Sequence, residues 1–320
     1  MTVPPDGPGS VPLASGVDPE LVLPPPTPVS RDSTAGVVVR AHLRKQTTAL
    51  LEADSGLDTN AEGAVHAARV AARRLRSGLR VYGDLLLDDV SAHLRPELSW
   101  YAGLLSPARD LEVFAAALAH ATDDVHGVGD VLLPWLHRRN ALAVSTVLPE
   151  VRSARADDLR RELVRLARAP RFDDRAGHRA AKVLGPRVLQ ADHRAAGLLT
   201  QLRPGDDSDS WHAGRISAKR ARYAAEVGAP ALGRPCQDLA AVWAALTEPL
   251  GEAQDAAIQR ALVLDRIDDP SSPLSAGEAF VCGVYVASTH DREVDAHRRA
   301  RTVWRASREQ HASLRRALGG

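Results

Sequence analysis

From about Thr34 to the C-terminus, apolar side chains return every three or four residues, and alternating β-branched runs are nearly absent. The pattern predicts helices over 35–54, 60–88, 90–104, 108–121, 130–168, 176–202, 210–228, 236–249, 253–267 and 275–317. Thr59 and Glu62 have the spacing of a capping box ahead of the second helix, and Asp209 or Ser210 can cap the helix that starts near Trp211. Pro170, the stretch 203–207 and Pro270 to Pro273 read as breaks. The break near 170–177 splits the folded part into a first half of about 34–170 and a second of about 175–318. Residues 1–33 lack the pattern and hold nine of the 21 prolines, so they are expected to form a disordered Pro/Gly-rich tail.

Composition narrows the class. At 44% hydrophobic and 25% charged the chain is globular, and with only 4% aromatics it is poorly suited to stacking on single-stranded nucleic acid. Net charge is +1, so no bulk field favours nucleic acid or a membrane. Cys236 and Cys282 are too few for a disulfide framework, which points to a reducing compartment. The longest apolar stretch, around 279–287, is too short to span a bilayer, and no basic segment followed by an apolar run marks a secretory signal. A cytoplasmic protein is therefore expected. Of 41 basic residues only Lys45, Lys182 and Lys219 are lysines. An arginine excess of this kind accompanies GC-rich coding, so position matters more than number.

Position is informative because the chain repeats itself. Residues 65–76, VHAARVAARRLR, return as 211–222, WHAGRISAKRAR, each matched pair 146 residues apart. Six of the twelve positions are identical, with Val70/Ile216 and Arg73/Lys219 conservative. Downstream, LSPARD at 105–110 matches LGEAQD at 250–255 at an offset of 145. Two ordered matches at nearly one offset predict two similar helical halves about a pseudo-twofold axis.

On a helix at about 100° per residue, with His66 as origin, Arg69, Arg73, Arg76 and Arg80 fall at about −60°, −20°, −80° and −40°. They form one cationic stripe, opposite the expected core face of Ala68, Ala72, Leu75 and Leu79. The second copy repeats it with His212, Arg215, Lys219 and Arg222, and Glu226 stands where Arg80 stood. Solvated faces mix charge signs, because like charges one turn apart repel, whereas this stripe holds one sign for four turns. Arginine presents a planar fork that fits phosphate oxygens. Two such stripes facing each other would line a basic groove suited to an extended chain of phosphates. His66 and His212 either titrate beside phosphate or serve as hydrogen-bonded residues that orient an arginine. Asp110 and Asp255 are expected to pair with motif arginines or to sit near a helix N-terminus. No His-Glu-x-x-His, glycine-rich phosphate loop, Gly-x-Ser-x-Gly or Cys/His cluster occurs, so no metal site, cofactor or catalytic residue is expected.

The doubled pattern His-x-x-Arg-[Val/Ile]-x-x-[Arg/Lys]-Arg-x-Arg, each copy followed by a Leu-x-x-x-x-Asp element, resembles the CHAD domain (conserved histidine α-helical domain) over roughly 35–318. The resemblance implies an all-α fold of two pseudo-symmetric antiparallel helical bundles around a basic central groove or pore. It implies inorganic polyphosphate as the partner, phosphate or sulfate ions as possible occupants of the same site, and an association with polyphosphate granules. Carried over by position, the binding residues are His66, Arg69, Arg73, Arg74 and Arg76, with His212, Arg215, Lys219, Arg220 and Arg222; the stripe adds Arg80. Arg44, Arg138, Lys182 and Arg194 are further candidates from neighbouring helices, without motif support. Ser106 stands in place of the family's usual glycine, and Gln254 in place of the arginine before the aspartate, so local packing or pairing is in question there. Members are often fused to a CYTH triphosphate-tunnel domain, but the N-terminal tail has no Glu-x-Glu-x-Lys for one. The expected function is non-enzymatic polyphosphate binding. The alternatives are a metal-dependent phosphohydrolase acting on polyphosphate or nucleotides, which needs a carboxylate cluster for magnesium, and nucleic-acid binding.

Overall fold

The computed structural model describes residues 21–25, 27–59, 61, 63–120 and 127–319, and within these every regular element is helical. Ten α-helices follow in order: α1 (Ala35–Asp58), α2 (Ala64–Tyr82), α3 (Val90–Leu104), α4 (Ser106–His120), α5 (Val128–Val151), α6 (Ala154–Arg168), α7 (Ala180–Gln201), α8 (Ser208–Leu232), α9 (Arg234–Ile267) and α10 (Ala276–Gly319). The chain is all-α, as its periodicity predicts.

Where boundaries differ from the pattern, local chemistry explains them. The expected helix 130–168 is two helices. Ser153 stops the run with an extended backbone, and its hydroxyl accepts from the Ala156 amide at 3.4 Å, starting α6. The expected pair 236–249 and 253–267 is instead one helix, α9, that carries Pro249 in its interior. Proline removes one backbone bond there, and the loss is offset by burial of Leu246 before it and of Leu250 and Val263 after it. Thr59 caps nothing ahead of α2. It ends α1, its hydroxyl donating to the Gly56 carbonyl at 3.2 Å, while α2 starts at Gly63 with φ of 77°; Glu62 lies outside the described residues. The cap of α8 is Asp207, one turn before Trp211, accepting from the Ser210 amide at 2.8 Å, so neither Asp209 nor Ser210 fills that role.

Three apolar cores hold the helices. One gathers α1, α2, α3 and α6 with the start of α7 and the end of α8, and a second joins α7, α8, α9 and the later part of α10. The third packs α4 and α5 against the end of α9 and the start of α10, where Phe114 stacks on Tyr285 with ring centroids 5.7 Å apart. The first and third cores draw on both sequence halves, so the halves are interlocked. Of the expected tail, residues 1–20 lie outside the described residues. The stretch after them is tied down: Arg168 donates to the Val22 carbonyl at 2.7 Å, Arg44 to that of Pro25 at 3.4 Å, and Leu23 and Val29 pack on the first core.

Candidate functional site

The two motif helices pack directly on one another. The Tyr82 hydroxyl of α2 donates to the Ala224 carbonyl of α8 at 2.7 Å, and Arg73 Nε donates to the Tyr223 hydroxyl at 3.1 Å. Each helix buries the small-residue face opposite its stripe, with Ala68, Ala72, Leu75 and Leu79 on α2 and Ala218, Ala221 and Ala225 on α8. That packing leaves both cationic stripes on one shared space. The cavity measures about 540 Å3, and its wall includes Arg69, Arg73, Arg76 and Arg80 from α2, His212, Arg215, Lys219 and Arg220 from α8, and Arg95 and Ser99 from α3.

The space continues at both ends. A recess of about 230 Å3 shares Arg80, Arg95 and Arg220 with it and adds Arg187 and Arg194 of α7. At the other end a recess of about 240 Å3 shares His212 and Arg215, and adds Gln254, Glu293 and His297. The three share wall residues in series; arginines and Lys219 supply all the charged groups of the first two, while the His212 end also carries Asp209 and Glu293.

Crowding and partial burial set the charge states. Lys219 is pushed down to about 7, chiefly by burial and then by Arg215 and Arg73, with Asp255 offsetting only part. Burial lowers Arg215, Arg76 and Arg220 as well; Arg220 also feels Arg80, Arg194, Arg76 and Arg95. His66 is held below its usual range by burial and by Arg109, Arg73 and Arg69, so in the free protein it is less basic than an ordinary histidine. Burial, reinforced by Asp110, raises Asp255 despite the nearby Arg215 and Lys219.

Neutralising partners are few and unevenly placed. Arg69 reaches Asp110 Oδ1 at 3.3 Å and the Ser106 carbonyl at 3.5 Å, and Arg76 donates to Ser99 Oγ at 2.7 Å. The matching pair on α8 differs: Arg215 has no carboxylate within ion-pair distance among the described residues, and its Nε is buried without a hydrogen bond. His212 Nδ1 lies 2.5 Å from Gln254 Oε1, so the glutamine that departs from the family pattern fixes this ring instead.

Not every sequence candidate arrives at this space. Neither Arg74 nor Arg222 lines the channel: both hold Glu226, at 3.5 Å and 2.7 Å, and Arg74 lines a cavity on the other side of the α2–α8 contact. A step of about 80° from His66 takes Arg74 off the stripe, whereas Arg222 has the stripe angle of Arg76 and is held away by Glu226, the glutamate in the slot matching Arg80. Arg44 caps the end of α6, donating to the Ala167 carbonyl at 3.0 Å, and is committed there. Arg138 and Lys182 are exposed on α5 and α7 and line none of these hollows. His66 lies on the stripe but outside the cavity lining, beside Arg109. Of the four added candidates only Arg194 reaches the channel. Sequence reasoning missed Arg95, Ser99, Arg187 and Tyr223. Arg95 and Ser99 do sit one turn apart on α3, but nothing in their spacing says which neighbour that face meets.

Among the described residues no group of three or more His, Cys, Asp or Glu side chains could hold a metal ion, and no helix is long and apolar enough to cross a membrane. Comparison with known proteins adds the lineage. A family model described as the CHAD domain matches residues 41–264. No curated protein matches the chain. Among solved structures, PptA from Streptomyces chartreusis superposes with a TM-score of 0.68 at 24% identity, covering 85% of this chain and 100% of its own. The CHAD domain from the plant Ricinus communis gives 0.66 at 22% identity, covering 87% and 94%. Both share the fold, and with the family model spanning more than half of its length and both motif helices within the match, this chain belongs to the CHAD-domain family.

Proposed function

We propose that this protein binds inorganic polyphosphate without turning it over, with the contiguous hollows between α2 and α8 as the seat of the polymer. One observation carries the reading: a surplus of desolvated cations faces a single space, with Lys219 driven down to about 7 and Arg215 Nε buried without a partner. Gathering like charges out of water opposes folding, and a polyanion supplies the missing counter-charge. Hollows in series suit an extended chain better than a compact ion, and arginine forks suit phosphate oxygens. The family membership supports polyphosphate over other polyanions. Association with polyphosphate granules follows from the same proposal.

Titration calorimetry with long-chain polyphosphate tests it. Affinity should be high and fall steeply with salt, because each phosphate contact releases counterions. The quadruple variant Arg69→Ala, Arg73→Ala, Arg215→Ala, Lys219→Ala should lose binding, and retained affinity would overturn the site. Phosphate release on incubation with polyphosphate and magnesium would overturn the non-enzymatic half of the proposal. Displacement of polyphosphate by DNA at equal phosphate concentration would overturn the choice of ligand.

A further inference from the structure

Behind the α2–α8 contact, on the side away from the cationic channel, lies another cavity of about 460 Å3, a size typical of small-molecule sites. Tyr223 is the wall between the two: its hydroxyl meets Arg73 on the channel side, and its ring faces Arg74, whose guanidinium carbon lies 5.8 Å from the centroid. The body of the cavity is apolar, lined by Val38 and Ala41 of α1 and Val227 and Pro230 of α8, with Val29 of the N-terminal segment along one side.

Its polar groups are underused. Gln46 lines the space and is only 5% exposed as a residue; its side-chain amide makes no hydrogen bond to another described residue and is not fully closed off from the cavity. Arg74 gives one nitrogen to Glu226 at 3.5 Å, while its Nε is buried without a partner. Glu226 is already shared between Arg74 and Arg222. His42 is pushed down to about 4, chiefly by burial, and adds no charge near neutral pH. Lys45, exposed at the rim and free of any ion pair among the described residues, therefore leaves the cavity with uncompensated positive charge.

An amide open to an apolar hollow without a protein partner, together with one free cation, matches a particular chemistry. We infer that this cavity is a second ligand site, for a small carboxylate with an apolar body. The carboxylate meets Lys45 and Gln46, and the hydrocarbon lies against Val38, Ala41, Val227 and Pro230. A phosphate ester is disfavoured, because a dianion would bring more charge than one free lysine balances and would desolvate against apolar walls.

Calorimetry of the full-length protein with octanoate tests the site. Saturable binding to one site is expected. Lys45→Glu, at an exposed position that leaves the core alone, and Gln46→Leu should each weaken it about tenfold, the loss of one hydrogen bond to a charged group, with unchanged melting temperatures. The proposal fails if octanoate shows no saturable binding, if Lys45→Glu leaves the affinity unchanged, or if octylammonium binds as tightly as octanoate.

Discussion

On α2, Arg69 reaches Asp110, Arg76 reaches Ser99 and Arg73 reaches Tyr223. On α8, two of the three matching residues lack that support: Arg215 leaves Nε unpartnered in the interior, and Lys219 makes no hydrogen bond among the described residues and sits at a pKa of about 7, while Arg222 is held by Glu226 and Thr247. The same twelve-residue motif thus exists in two electrostatic states. Asp110 faces Arg69 across an ion pair, whereas its counterpart Asp255 is desolvated and raised, and less able to neutralise Arg215. The difference teaches that a motif fixes which groups are available, while its neighbours decide which of them are already satisfied. The α8 stripe gains most from an incoming polyanion, because its charges are farthest from compensation.

The largest expected effect follows directly. Arg215→Ala with Lys219→Ala should cost polyphosphate affinity at least about a hundredfold, two charge-assisted contacts at about 1.5–3 kcal/mol each. Calorimetric melting of the same variant without ligand should show no loss of stability, because the removed cations are desolvated and mutually repelled. Arg73→Ala with Arg76→Ala should cost only about tenfold, and should lower the melting temperature, since Tyr223 and Ser99 lose partners. Equal losses from the two helices would erase the comparison.

The pH response sharpens it. Lys219 has a folded pKa of about 7 against an ordinary 10.5, so above pH 7 it is neutral in the free protein and must take up a proton when phosphate binds. Affinity should therefore fall as pH rises above 7, by at most about tenfold per unit for one linked proton. Over the same range the free protein should become more stable, because the depressed pKa penalises folding below pH 7 and the penalty fades toward 10.5. Lys219→Arg should flatten the binding profile between pH 7 and 9, and a slope unchanged in that variant would assign the proton elsewhere.

Smaller effects test the partners. Asp110→Asn frees Arg69 from a half-exposed ion pair and should raise affinity a few-fold, the scale of about 1 kcal/mol or less for such pairs. Arg222→Ala should change affinity by less than about twofold, because its guanidinium is held by Glu226 and Thr247 and lines none of the three hollows. A large loss there would mean that the motif, read position by position, outranks the geometry.

The sequence by itself determined the all-helical fold, the two motif helices and the cationic stripe, because a spacing of three and four residues projects onto one face of a helix whatever surrounds it. It also marked Arg69, Arg73, Arg76, Arg80, Arg215, Lys219 and Arg220, all of which line the cavity. Only the tertiary structure decided that Arg74 and Arg222 turn away to Glu226, that Arg44 caps α6, and that Arg95 and Arg187 join the channel from α3 and α7. It likewise decided that Pro249 bends no helix apart and that Gln46 stands unpaired in a second cavity. Those outcomes depend on which helices meet, and burial, desolvation and hydrogen-bond supply at a contact are properties of both partners, not of the spacing in either one.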